Sequence, residues 1–170
     1  MPIKPRTKVP NLDLPTVGGG RFNLGQSHRS VFTMVVFYRG LHCPICKTYL
    51  RDLDRKLPEF EKLGVAVIAV STDSREHAEE TRAAWGLERL AIAYGLGIEQ
   101  AHRWGLFISA AIKDDEPALF AEPGLFLIRP DGTLYAASVQ TMPFARPQFS
   151  EVLAAIGFVT QEDYPARGEA

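Results

Sequence analysis

Two short runs of almost unbroken apolar residues, Ser30 to Tyr38 (SVFTMVVFY) and Val65 to Val70 (VAVIAV), punctuate a chain whose other segments mix polar and apolar positions. The first run is rich in β-branched and aromatic residues and nearly free of charge, which predicts a central strand. The second is wholly apolar, the pattern of a strand covered on both faces. Between them the apolar period changes. Cys46, Leu50, Leu53, Leu57 and Phe60 are spaced by four, three, four and three, so a helix starting at Cys43-Pro44 carries them as one buried stripe. Arg51, Asp52, Asp54, Arg55 and Lys56 then fall mostly on its wet side. Pro44 suits the first turn, because its missing N–H would be unbonded there in any case. Pro58 should kink this helix or restart it, and Gly64 should end it. The order strand, helix, strand is a βαβ unit.

Downstream, Ser71 to Ser74 caps a second helix, about Ser74 to Trp85, with Glu76, Glu79 and Glu80 near its positive end and Gly86 closing it. A short strand around Leu90 to Tyr94 and a short helix around Ile98 to Trp104 follow. Leu125 to Ile128 and Thr133 to Val139 form a predicted hairpin across Arg129-Pro130-Asp131-Gly132, whose Asp-Gly is a strong turn signal. A last helix is expected from about Gln148 to Ile156. Upstream, Pro2, Pro5, Pro10 and Pro15 forbid helix, and Gly18-Gly19-Gly20 marks a turn before Arg21 to Leu24. RAAWGL and AHRWGL read as two similar helix ends whose Trp covers the sheet. These elements make one domain over residues 1–170, with loosely held tails at 1–8 and 161–170.

Composition supports that reading and narrows the partners. A chain of 170 residues, 46% of them apolar, buries a core without metal or disulfide staples. Nineteen Lys plus Arg against twenty Asp plus Glu leave a formal charge of -1, without the broad positive field that binding nucleic acid or an acidic membrane needs. No run approaches the roughly 18 apolar residues of a membrane span. The basic, Pro-broken MPIKPRTKVP does not read as a secretory signal, so a cytoplasmic location is expected.

The chemistry concentrates in one tetrapeptide, Cys43-Pro44-Ile45-Cys46, which holds both cysteines. A thiol at the start of a helix meets unpaired backbone N–H groups and the positive end of the helix dipole, both of which favour thiolate. A free cysteine of pKa about 8.5 is only about 3% thiolate at pH 7, whereas a pKa near 7 makes it about half. Cys46, one turn further along the same face, is the covered partner, and three helical residues bring two sulfurs within bonding reach. A reversible disulfide is therefore available. The same four residues also suit half of a zinc site or two inert core cysteines. His42 is too close in sequence to complete a metal cage easily, and His28, His77 and His102 show no ligand spacing, so no metal is expected. Arg39 and His42 flank the pair. Each either supports a thiolate or an anionic substrate or is a solvated loop residue, while Lys47 reads as a wet helix residue.

Strand, FYRGLHCPICK, helix and then LGVAVIAVSTDS together resemble the thioredoxin superfamily, and within it the alkyl hydroperoxide reductase and thiol-specific antioxidant, or peroxiredoxin-like, group. VPNLDLPTVGGGRFNLGQ resembles the N-terminal hairpin of that group, and EPGLFLIRPDGTLYAA its later strand pair. The resemblance implies a three-layer α/β sandwich around a mixed sheet, with the N-terminal hairpin as an extension. It also implies a cis Glu122-Pro123 bond packed against Cys43. Three positions depart from the group. Val36 and Gly40 stand where peroxiredoxins carry Pro and Thr, and Pro123 stands where they carry an Arg that polarises the peroxide. The CxxC and the proline at position 123 are thioredoxin traits, so the sequence is a hybrid.

The implied activity is a thiol-dependent peroxidase or thiol-disulfide oxidoreductase without a cofactor. Cys43 attacks a peroxide oxygen or a disulfide sulfur, Cys46 resolves, and an external dithiol such as a thioredoxin-like protein reduces the Cys43–Cys46 disulfide. Arg39, His42, Pro44 and Pro123 are the expected supporting residues. Relatives commonly dimerise, which leaves a homodimer open. A redox-responsive binding module without turnover, and a structural domain in which CPIC only packs, stay open as rivals.

Overall fold

The computed structural model describes residues 1–27 and 31–170, so the expected strand start at Ser30, and His28, lie outside the described residues. In chain order the elements are β1 (Asp13–Pro15), β2 (Arg21–Asn23), β3 (Phe32–Phe37), α1 (Pro44–Lys62), β4 (Val65–Val70), α2 (Arg75–Trp85), β5 (Ala91–Ala93), α3 (Ile98–Arg103), β6 (Ile108–Ala110), β7 (Leu119–Ala121), β8 (Gly124–Ile128), β9 (Leu134–Val139) and α4 (Phe149–Glu162). Five strands form the central sheet in the order β5-β4-β3-β8-β9. β3 runs parallel to β4 and antiparallel to β8, so the sheet is mixed.

The alternation of side chains along a strand divides the core in two. Met34 and Val36 of β3 face a cluster holding Leu50, Leu53 and Phe60 of α1, Trp85 of α2 and Phe149 of α4. Val35 and Phe37 face the other cluster, with Trp104 at the end of α3 and Leu12 and Leu14 of the N-terminal segment. Helices on both faces of one mixed sheet give the expected three-layer α/β architecture. Each tryptophan covers the sheet as anticipated, Trp85 against Tyr38 and Trp104 between Phe37 and Phe126.

All five residues of the α1 stripe are buried. Pro58 neither ends nor restarts this helix, which is assigned as helical throughout from Pro44 to Lys62. Its ring lies on the exposed side, where it displaces no packing. α4 extends six residues past the expected end at Ile156, to Glu162. The β6–β7 pair has no counterpart in the sequence-based reading, since two three-residue strands carry too little periodicity to register.

The terminal segments, expected to be loose, are laid against the sheet and against each other. The N–H of Arg6 donates to Leu134 O at 2.8 Å, its guanidinium donates to Ala166 O, and Ala166 is buried. These bonds are between backbone groups or to a carbonyl, which polar composition does not advertise. The cis bond is also absent: among the described residues every peptide bond is trans, including Glu122-Pro123. Here the chain passes extended from β7 into β8, with Glu122 N–H bonded to Phe107 O and Gln140 N–H to Pro123 O. Both bonds are met by the ordinary isomer, which for an X–Pro bond is favoured by about 0.5–1 kcal/mol.

Candidate active site

The turn that follows β3 is held by a buried carboxylate from another element. Asp73, at the end of the β4–α2 connection, accepts the Leu41 N–H on Oδ2 at 2.9 Å. The next bond, Cys43 N–H to Gly40 O at 3.1 Å, closes the turn. Gly40 has φ +136°, and a Cβ there would lie 2.6 Å from Asp73 Oδ1. Glycine at this position is thus a steric condition of the Asp73 clamp. Burial raises the Asp73 pKa above its ordinary value, against the lowering effect of the Leu41 bond.

The clamped turn delivers Cys43 to the N-cap of α1, with Pro44 exposed in the first turn, as the sequence predicts. Its Sγ accepts the Cys46 N–H at 3.2 Å. Neither cysteine is in a disulfide, and both are buried. A guanidinium reaches them from the loop between β9 and α4: Arg146 Nη2 lies 3.1 Å from Cys46 Sγ and 3.7 Å from Cys43 Sγ. Arg146 is fixed by its Nε–H bond to Pro143 O at 3.0 Å and by the Tyr49 ring beneath it, 5.1 Å from its Cζ to the ring centroid. The Tyr49 hydroxyl in turn donates to Pro147 O at 2.6 Å. Arg146 Nη1 is buried and has no hydrogen-bond partner among the described residues.

This arrangement separates the two thiols electrostatically. The hydrogen bond from the Cys46 thiol, then the Cys46 backbone N–H and the Arg146 charge, outweigh burial and push the Cys43 pKa down to about 5. Burial, reinforced by the bond to Cys43, pushes Cys46 well up. The environment therefore favours the thiolate at Cys43 and the thiol at Cys46.

Arg39 and His42 lie differently. Arg39 Nε is 3.1 Å from Glu122 Oε2 in an ion pair whose side chains are 19% and 7% exposed. Ser109 donates to the other Glu122 oxygen at 2.6 Å. The Phe120 ring is flanked by the Arg39 guanidinium at 4.9 Å and the His42 ring at 4.6 Å. Both residues line a recess of about 260 Å³ that opens on Cys43, together with Ile45, Ile112 and Phe144. They shape the approach while Arg146 holds the sulfurs. Pro123 is buried and shares a narrow crevice with Tyr49 and Arg146. Among the described residues, no three His, Cys, Asp or Glu side chains converge closely enough to hold a metal ion.

The sequence pattern of the AhpC/TSA family matches residues 5–137. The chain belongs to that family. Alkyl hydroperoxide reductase C of Amphibacillus xylanus is 30% identical over 112 residues, a stretch that spans 64% of this chain and 55% of that protein. The chain therefore covers little more than half the length of this relative. Among solved structures, Xanthomonas campestris peroxiredoxin Q superposes with a TM-score of 0.69 at 26% identity, covering 86% of this chain and 90% of that one. Enterococcus faecalis AhpC superposes with a TM-score of 0.77 at 18% identity, covering 98% and 99%. The second likeness is one of fold. Within the AhpC/TSA frame the guanidinium beside the sulfurs comes from Arg146, in FARP, rather than from position 123. Sequence reasoning missed it because an arginine between Pro143 and Pro147 belongs to no periodic element and lies about a hundred positions from CPIC.

Proposed function

We propose that the protein is a thiol-dependent peroxidase of the antioxidant type, with Cys43 as nucleophile and Cys46 as resolving residue. The observation that carries this reading is the division of labour between the sulfurs: Cys43 Sγ accepts the Cys46 backbone N–H at the helix start, Cys46 lies covered one turn on, and one guanidinium reaches both. The Cys43 thiolate attacks the terminal oxygen of a hydroperoxide. As the S–O bond forms, the O–O bond breaks, and the leaving alkoxide takes a proton from the Cys46 thiol or from water. The unpartnered Arg146 Nη1 is a donor available to oxygen as its charge develops. Cys46 then attacks the Cys43 sulfenic acid, releasing water and leaving a Cys43–Cys46 disulfide. An external dithiol, a thioredoxin-like protein by family precedent, supplies two electrons to restore the pair.

The same proposal takes the setting to be cytoplasmic and is compatible with a homodimer. No helix among the described residues is long and apolar enough to cross a membrane. Disulfide reduction is the second reading, supported by the CxxC and by the recess over Cys43. The trans Glu122-Pro123 bond removes the other trait on which it leaned.

Cysteine replacements test the proposal. With a hydroperoxide and a recycling dithiol, Cys43→Ser is expected to abolish turnover and Cys46→Ser to accumulate a sulfenic acid or mixed disulfide at Cys43. Full turnover by Cys43→Ser ends the proposal. A protein disulfide consumed much faster than hydrogen peroxide by the intact protein transfers the assignment to the second reading.

A further inference from the structure

Next to the recess over Cys43 lies a larger one of about 800 Å³ whose lining carries five carboxyl groups, those of Asp73, Glu80, Asp114, Asp115 and Glu116, and no lysine or arginine. The two recesses share His42, Asp115 and Glu116 in their walls, so they adjoin. The carboxyl cluster is accompanied by polar atoms that lack partners. Asp73 is 2% exposed, and its Oδ1 makes no hydrogen bond. His77 Nδ1 lies 4.0 Å from it. Thr72 Oγ1 and both ring nitrogens of His42 are likewise buried and unpartnered. Acceptors outnumber donors here, and the missing complement is a cationic group with several N–H bonds.

A metal ion is the poorer match, because among the described residues no three ligand-type side chains converge on one point. The volume is that of a peptide segment, not of an ion. Ile112 and Phe144 stand exposed around the neighbouring mouth over Cys43, an apolar rim that a protein surface would cover. We propose that this acidic recess binds a basic side chain of the dithiol protein that reduces the Cys43–Cys46 disulfide. It thereby selects a reductant with Lys or Arg close to its own cysteine pair. The inference rests on the proposed thiol chemistry and specifies its electron donor. One reductant thiolate attacks the Cys43 sulfur, forming a mixed disulfide and releasing Cys46 as a thiolate that takes up a proton. The second reductant cysteine then displaces Cys43. The reductant leaves as a disulfide, having given up two electrons. Opposite charges beside the reacting sulfurs raise the encounter rate and orient the donor.

The test uses the full chain oxidised with diamide, so that it does not depend on any peroxide reaction. Two Cys-Ala-Ala-Cys peptides, one followed by Lys and one by Glu, reduce it, with dithiothreitol as an uncharged control. The neighbouring charge also changes each peptide's own thiol, so the quantity compared is the ratio of the Lys-peptide rate to the Glu-peptide rate. It is measured in the wild type and in the triple variant Glu80→Gln, Asp114→Asn, Asp115→Asn. These three side chains are exposed, and the variant leaves untouched the Asp73 clamp and Glu116, which accepts the Ile112 N–H. The ratio is expected to fall at least about fivefold in the variant and to fall similarly for the wild type at high salt, with dithiothreitol rates unchanged. An equal ratio in both proteins overturns the inference. So does an equal ratio accompanied by Zn²⁺ binding that the variant loses, which would assign the recess to a metal. Failure of the peroxidase reading has a separate signature, a chain that diamide oxidises and dithiols reduce but that peroxide never converts to the disulfide.

Discussion

Two arginines border the CPIC turn, and they have opposite fates. Arg39 is four residues from Cys43, near enough in sequence to suggest a companion for its thiolate, yet its charge is already matched by Glu122 and its guanidinium lies over Phe120. Arg146 is a hundred residues from Cys46, has no carboxylate partner among the described residues, and points Nη2 at both sulfurs while Nη1 makes no hydrogen bond among them. The difference shows that counter-ion accounting, more than closeness in the chain, decides which cation serves a nucleophile. A buried cation already paired with a carboxylate has little left to give a thiolate, whereas one whose only anionic neighbour is a sulfur stabilises that sulfur and depends on it.

The strongest way to break the comparison is to remove the paired arginine. Arg39→Met strands the Glu122 carboxyl in a site where the side chain is only 7% exposed. Breaking a buried pair from one side costs about 3 kcal/mol. Denaturant unfolding is expected to show a loss of that order, with the Cys43 thiolate still forming near its original pH. A Cys43 pKa that rises as much in Arg39→Met as in the Arg146 variant would erase the distinction between the two residues.

Arg146→Met tests the other half. Hydrogen bonds to charged groups contribute about 1.5–3 kcal/mol, or roughly one to two pH units on a titrating thiol. Thiolate absorbance and modification by a small thiol reagent at pH 6 should fall by about 2- to 10-fold, with little change in fold. Cys43→Ser and Cys46→Ser identify which sulfur titrates. Unchanged modification at pH 6 would mean that the Cys46 bonds alone hold the thiolate.

The pH dependence of stability sharpens this further. Folding lowers the Cys43 pKa from an ordinary 9.0 to about 5, so between these values the native state binds fewer protons than the unfolded chain. The stabilisation from this group is complete above about pH 9 and is lost as pH falls toward 5. Cys46, raised by folding, acts in the opposite sense only above its unfolded value, so the window from pH 5 to 9 belongs to Cys43. In a pH series of unfolding curves, Arg146→Met is expected to flatten the rise across that window. A rise as steep as in the wild type would disconnect Arg146 from the thiolate.

The sequence shows the parts of this site that are built by local patterns and hides those built by long-range contacts. The strand Phe32–Phe37, the stripe from Cys46 to Phe60 and the N-cap at Cys43 all follow from spacing and from the chemistry of a helix start. The Asp73 clamp on Leu41 joins residues 32 positions apart through one side-chain oxygen, and the Arg146 contacts span 100 and 103. No periodicity carries such information. Gly40 was legible as a departure from related sequences but not as a consequence, since its meaning depends on where Asp73 Oδ1 lies. The proline at position 123 invited a cis bond by likeness to thioredoxin, although its neighbours' hydrogen bonds are satisfied in trans.

The smallest expected effect tests whether Arg146 is held by its loop or by the sulfurs. Tyr49 supplies two separable supports, a ring beneath the guanidinium and a hydroxyl that ties Pro147 O. Tyr49→Phe keeps the ring and removes only the tie, a neutral hydrogen bond contributing about 1 kcal/mol. If the thiolate itself anchors Arg146, the loop loses that stability but the guanidinium stays on the sulfurs, and the Cys43 titration moves by at most a few tenths of a pH unit. Titration of the thiolate in Tyr49→Phe, beside Tyr49→Leu in which the ring is lost as well, separates the two supports. A shift in Tyr49→Phe as large as that in Arg146→Met would make the 143–147 loop, rather than the charge on Cys43, the element that positions the guanidinium.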